Sequence, residues 1–227
     1  GRTEALKGGV PWESNAGFFG RWFETVGAAC FKGKQFYAAA AKSNDAMPAV
    51  VFSTVTGALV GLLTAVMIGL LFLTFGTMMA AIFARAGIPV GAGGAAGMGI
   101  GLTLAFGFSS VLLGALGGFI GPWIYGGIHH LTLSLVDGVG PGRDYGSTVR
   151  IHAYANASAS LWAFVPGLGG LAYLAFYIIN HITGYEQMHG CSGGKAFFAL
   201  AAPFLFCCCC YLLSVVLLGV GAGMSGP

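Results

Sequence analysis

Five histidines fall between residues 128 and 198, in the stretches IHHLTLSLVDG, DYGSTVRIHAYANAS and IINHITGYEQMHGCSGGKA. Helical spacing sorts them, with their polar neighbours, into stripes. His130, Ser134 and Asp137 recur at i, i+4 and i+7, and Arg150, Tyr154 and Ser158 lie on one face. His152 and Asn156 mark a neighbouring stripe, Tyr173, Tyr177 and His181 a later one, and His129 and His189 complete the set. A histidine above an aspartate can relay a proton or supply part of a metal site. A metal needs three or four converging ligands; HExxH is missing here, and CxxC occurs only within the apolar run Cys207 to Cys210. The reading adopted is an interhelical hydrogen-bond network that fixes packing. A proton or solute pathway is the functional alternative, and no metal or cofactor is assigned. Arg150 offers five donors in a fixed fork, best met by a carboxylate or by lipid phosphate. Asp137 and Asp144 are the nearest acids, so one of them is the expected partner.

Nucleophilic catalysis has no support. Ser109, Ser110 and Ser158 lack an elbow or a base at useful spacing, and Cys191 and His189 stand too close in sequence to point together. No enzyme activity is expected.

These side chains sit in a chain whose solvent is lipid. Of 227 residues, 56% are hydrophobic and only 7% charged, where a soluble domain carries about 25%. Mean hydropathy is +0.82. The scarcity of charge excludes a nucleic-acid surface, which needs clustered Lys and Arg. Forty glycines suit close helix packing in membranes, and the pairs Gly57/Gly61 and Gly114/Gly118 have the small-xxx-small spacing. The run Cys207 to Cys210 reads as small apolar filler, with palmitoylation or metal binding as alternatives. The absence of an initial Met suggests cleaved or missing residues upstream.

Residues 1–48 hold most of the charge. Within them Phe19, Trp22, Phe23, Val26 and Cys30 form one helical stripe opposite Arg21 and Glu24. That pattern predicts an amphipathic interfacial helix anchored by Trp12, Phe19, Trp22 and Phe23; packing on the protein's own spans is the alternative. Residues 49–227 form the membrane domain. Residues 49–75 are the clearest span, and Gly87 to Gly97, with Pro89, reads as a turn. Residues 98–136 are too long for one crossing. Their central GALGGFIGPW predicts a hairpin of two short helices. Residues 151–182 make a fourth span kinked at Pro166-Gly167, and residues 196–220 a fifth. The expected fold is therefore all-α and polytopic, with five transmembrane helices. With the N-terminus cytoplasmic, Lys and Arg divide seven inside to three outside, the three being Arg85, Arg143 and Arg150. If residues 98–136 entered and left on one side, the division would be eight to two.

In order along the chain come GFFGRWFETV, a long span, a Gly-rich segment ending near IHH, YGSTVRIHAYANAS, a Pro-Gly, and GYEQMHGCSGGKAFFAL. The chain resembles the Yip family, the Ypt/Rab-interacting membrane proteins, over nearly its whole length. The resemblance implies five spans, a cytosolic N-terminus and no catalytic site. It departs from trafficking members in lacking an acidic Tyr-Gly-Pro-Phe-Trp type segment and in having Gly33-Lys34-Gln35 where proline is usual. The prokaryotic type, in an inner or plasma membrane, is the expectation. The implied role is a non-catalytic scaffold or accessory subunit that contacts membrane lipid and binds other integral membrane proteins or itself. A transporter or channel for a small solute, ion or lipid is the alternative.

Overall fold

The computed structural model describes residues 6–15, 17–87 and 92–224, all helix and turn with no strand among them. A short 3-10 turn at Pro11–Glu13 leads into α1 (Phe18–Phe31), α2 (Gly33–Ala40) and α3 (Met47–Arg85). Then follow α4 (Ala92–Leu135), α5 (Tyr145–Ser160), a second 3-10 turn at Leu161–Phe164, α6 (Gly169–His189) and α7 (Gly193–Met224). Among the described residues three stretches are long and apolar enough to cross a membrane: Met47–Phe83, Thr103–Leu135 and Gly193–Val215. Arg2, Glu4 and Pro89 lie outside the described residues.

The expected hairpin near residues 117–122 does not form. α4 runs unbroken through a buried Pro122. Proline costs one backbone donor, which a packed membrane helix tolerates when its neighbours compensate. Gly114 and Gly118, ahead of it, serve packing rather than a turn. Gly57 and Gly61 of α3 meet α4 backbone to backbone. A Cβ at Gly57 would stand 2.9 Å from the Gly114 carbonyl carbon, and one at Gly61 2.8 Å from the Ser110 carbonyl carbon. From the other side, a Cβ at Gly118 would stand 2.8 Å from the carbonyl carbon of Ser53. Two helices can approach this closely only without side chains between them. The predicted turn at Gly87 to Gly97 is also shorter than expected, since α4 is already helical from Ala92.

Pro166-Gly167 does more than kink a span. Val165 before the proline is extended, at φ −69° and ψ 118°, as the proline ring demands. Gly167 takes φ +77°, a left-handed value suited to glycine, and the chain reverses into α6. Residues 151–182 are thus two helices, α5 and α6, side by side. Almost all of α5 is buried. Phe36, Tyr37, Phe52, Tyr154 and Tyr185 pack around it as the aromatic core.

The loop after α4 returns to the start of α3: Asn44 Nδ2 donates to the Gly142 carbonyl at 3.0 Å, and Arg143 to the Ala41 carbonyl at 2.7 Å. Lys195 Nζ donates to the Asp137 carbonyl at 2.9 Å. Arg143 and Arg150 therefore share the end where α3 begins, and do not face the opposite side as a five-span count with a split α4 required.

Candidate functional site

α4, α5 and α6 bring three histidines into one buried cluster: His129, His152 and His181, 4%, 3% and 0% exposed. Their candidate ligand nitrogens all lie within 4.8 Å of one another. His181 Nδ1 lies 2.8 Å from the Tyr177 carbonyl, an i→i−4 contact. A carbonyl only accepts, so Nδ1 carries the proton and Nε2 keeps its lone pair. That Nε2 lies 3.0 Å from His152 Nδ1, which must be the donor. His129 Nδ1 lies 2.8 Å from the Tyr185 hydroxyl, and Tyr125 stacks on the His152 ring with centroids 5.5 Å apart.

The other two histidines form a second chain through one hydroxyl. His130 Nδ1 lies 2.8 Å from Thr148 Oγ1, which lies 3.0 Å from His189 Nε2. One hydroxyl proton serves one of these contacts, so one imidazole must donate to the threonine. His189 Nδ1 is buried without a hydrogen-bond partner among the described residues. His189 closes α6 beside the 138–144 loop, outside the apolar crossing stretches. Burial, aided by His130 and Arg143, lowers its pKa to about 4. Unfolded histidine titrates near 6.5, so the unfolded chain binds the extra proton first as pH falls. This contribution to stability is fully present above about pH 6.5 and is lost as pH falls toward 4. It amounts to about 3 kcal/mol. Chemical unfolding between pH 4 and 7 should show that slope, and His189→Gln should flatten it. An equal slope in the variant would remove His189 as its source.

The remaining sequence candidates divide. Asp144 caps α5, its Oδ1 accepting from the Ser147 backbone N–H at 3.0 Å. Asn156 Oδ1 accepts from the Tyr173 hydroxyl at 3.2 Å. Ser134 is exposed and bonds back to the His130 carbonyl, and Asp137 is exposed at the end of α4 with φ 50°. The His130–Ser134–Asp137 stripe therefore does not converge on one site.

Arg150 pairs with neither Asp137 nor Asp144. It is 1% exposed and forms an ion pair with Glu13, which is 27% exposed. Its other donors reach the carbonyls of Ala40, at 3.2 Å, and Asp45, at 2.6 Å. Tyr154 also donates to Glu13, at 2.6 Å. Position explains the choice: α5 buries Arg150 inward, whereas Asp144 is committed to its own helix cap.

The aromatic residues read as interfacial anchors split as well. Trp12 and Trp22 are buried, Trp12 edge-on to Phe52 at 5.4 Å and Trp22 donating to Thr56 Oγ1 at 3.0 Å. Phe19 and Phe23 are 69% and 65% exposed. α1 thus packs one side on the core and turns phenylalanines outward. Glu13, Thr148 and Tyr185 were missed; no local spacing marks them, since their partners lie on other helices. No family model, curated protein or solved structure matches the chain.

Proposed function

We propose that this is a non-catalytic, Yip-like integral membrane protein that acts by binding another membrane protein within the bilayer. One observation carries the reading. Gly117 and Gly121 repeat the small-xxx-small spacing on a stripe of α4 adjoining Gly114 and Gly118, and a Cβ at either would meet nothing within 4 Å. The inner pair holds α3, and the outer pair leaves an open groove of the same kind, flanked by exposed Leu113 and Ile124. Its occupant is a transmembrane helix of a partner protein.

Topology is part of the proposal. The turn between α5 and α6 lines a cleft with Thr64, Met67 and Ile68 of α3. Those residues stand about 25–30 Å along α3 from Met47, at about 1.5 Å per residue. α5 with its 3-10 turn, and α6 up to Gly184, therefore cover a hydrocarbon thickness beside the other three helices and make five crossings. Every described Lys and Arg except Arg85 falls on the N-terminal segment, on the loop after α4, or in the first two turns of α5 and α7 beside that loop. That end is assigned to the cytoplasm of a prokaryotic inner membrane.

Crosslinking in native membranes tests the binding role. Gly117→Leu with Gly121→Leu should reduce crosslinked partner at least fivefold while leaving the thermal midpoint of the purified protein unchanged. Undiminished crosslinking would overturn the reading, and a crosslinked second copy as sole product would replace the partner by self-association.

A solute or proton pathway is the second reading. It is favoured by the proximity of the two histidine chains, since the Tyr185 ring of the first lies 6.3 Å from the His189 ring of the second, centroid to centroid.

A further inference from the structure

The geometry assigns a transition-metal site to His129, His152 and His181, with zinc(II) as the ion that suits it best. This goes beyond the binding role above and does not depend on it. Three imidazoles from three different helices converge in a buried space, which is the ligand number of an open zinc site with a fourth position left for solvent. All donors are nitrogen, which favours zinc and related borderline ions over calcium or magnesium.

The hydrogen bonds around the cluster already have the form that ligands need. The Tyr177 carbonyl holds the proton of His181 on Nδ1 and leaves Nε2 free to coordinate. The Tyr185 hydroxyl sits on His129 Nδ1 and can accept its proton, freeing Nε2 in the same way. His181 Nε2 and His152 Nδ1 are 3.0 Å apart. Two nitrogens about 2.0–2.1 Å from a tetrahedral zinc stand about 3.3 Å apart, so a small opening admits the ion. Zinc would replace the proton these nitrogens share, and His152 would move that proton to Nε2. Three neutral imidazoles leave the ion's charge uncompensated. Zinc-bound water ionises near pH 7, so hydroxide in the fourth position halves that charge and releases one proton to solvent.

The test uses the full chain without an affinity tag, purified in lipid nanodiscs, stripped with chelator and titrated with zinc against a competing dye. One equivalent per chain is expected. His152→Gln should weaken it at least 100-fold and Tyr185→Phe about 10–100-fold, while His130→Gln leaves it unchanged. Equal affinity in His152→Gln, or no stoichiometric binding, would overturn the assignment. If His152→Gln does not fold, X-ray absorption on the zinc-loaded wild type decides. Three imidazole nitrogens at about 2.0–2.1 Å support the site, and a shell containing sulfur or fewer than two imidazoles overturns it.

Discussion

Replacing Gly57 and Gly61 together by leucine should abolish the α3–α4 pairing and with it most of the recoverable folded protein. A Cβ at Gly61 would stand 2.8 Å from both the Ser110 carbonyl carbon and the Val111 Cα, and these are backbone atoms that cannot rotate away. Overpacking a close-fitting contact costs about 1–3 kcal/mol at one site, and two rigid collisions on one face should exceed that range. Gly57→Ala alone should already lower the unfolding midpoint in detergent, because even one methyl group meets the Gly114 carbonyl. Gly76→Leu is the control, since a Cβ there meets nothing within 4 Å. If the double leucine variant and the Gly76 variant proved equally stable, the close approach of α3 and α4 would be wrong.

Arg150→Ala should be the most damaging single change of a polar residue. It empties the volume of a fully buried side chain, removes one of two donors from the Ala40 carbonyl, leaves the Asp45 carbonyl without one, and strips Glu13 and Tyr154 of their cation. Breaking a buried pair from one side costs about 3–5 kcal/mol. Glu13→Gln should cost less, about 1–3 kcal/mol, because Glu13 is partly solvated and the carbonyls still hold the guanidinium. A double-mutant cycle in detergent-purified protein reads the coupling. Additive effects, each below about 1 kcal/mol, would mean the pair is solvated and does not tie the N-terminal segment to α5.

Both predictions bear on how much could be read from sequence. The Gly57/Gly61 and Gly114/Gly118 spacings were visible because small-xxx-small is a local signal, complete within two turns of one helix. Pro122 misled for the converse reason. Beside Gly117, Gly118 and Gly121 it has the composition of a turn, and only the approach of α3 makes Gly118 a packing position instead. Arg150 was legible as a cation in need of an anion, but its partner lies 137 positions away and nothing local points to it. The histidines behaved likewise. Their helical stripes followed from spacing, yet His129, His152 and His181 meet only because the chain reverses at Pro166-Gly167 and returns α6 beside α5. Stripes belong to single helices, and convergence belongs to the packing between them.

The length of the α3–α4 pair carries a consequence for the surrounding lipid. The apolar stretch of α3 covers 37 residues. That is about 55 Å of helix, against about 30 Å of hydrocarbon in an average bilayer. Transmembrane helices tilt by up to about 40°, which still leaves this one about 42 Å tall along the membrane normal. Because α3 and α4 are locked backbone to backbone, they must lean as one body. The excess is absorbed by thickening the lipid around them or by lifting the Arg85 end through the far leaflet. Where the lipid thickens, the pair would partition toward the thicker regions of a membrane of uneven composition.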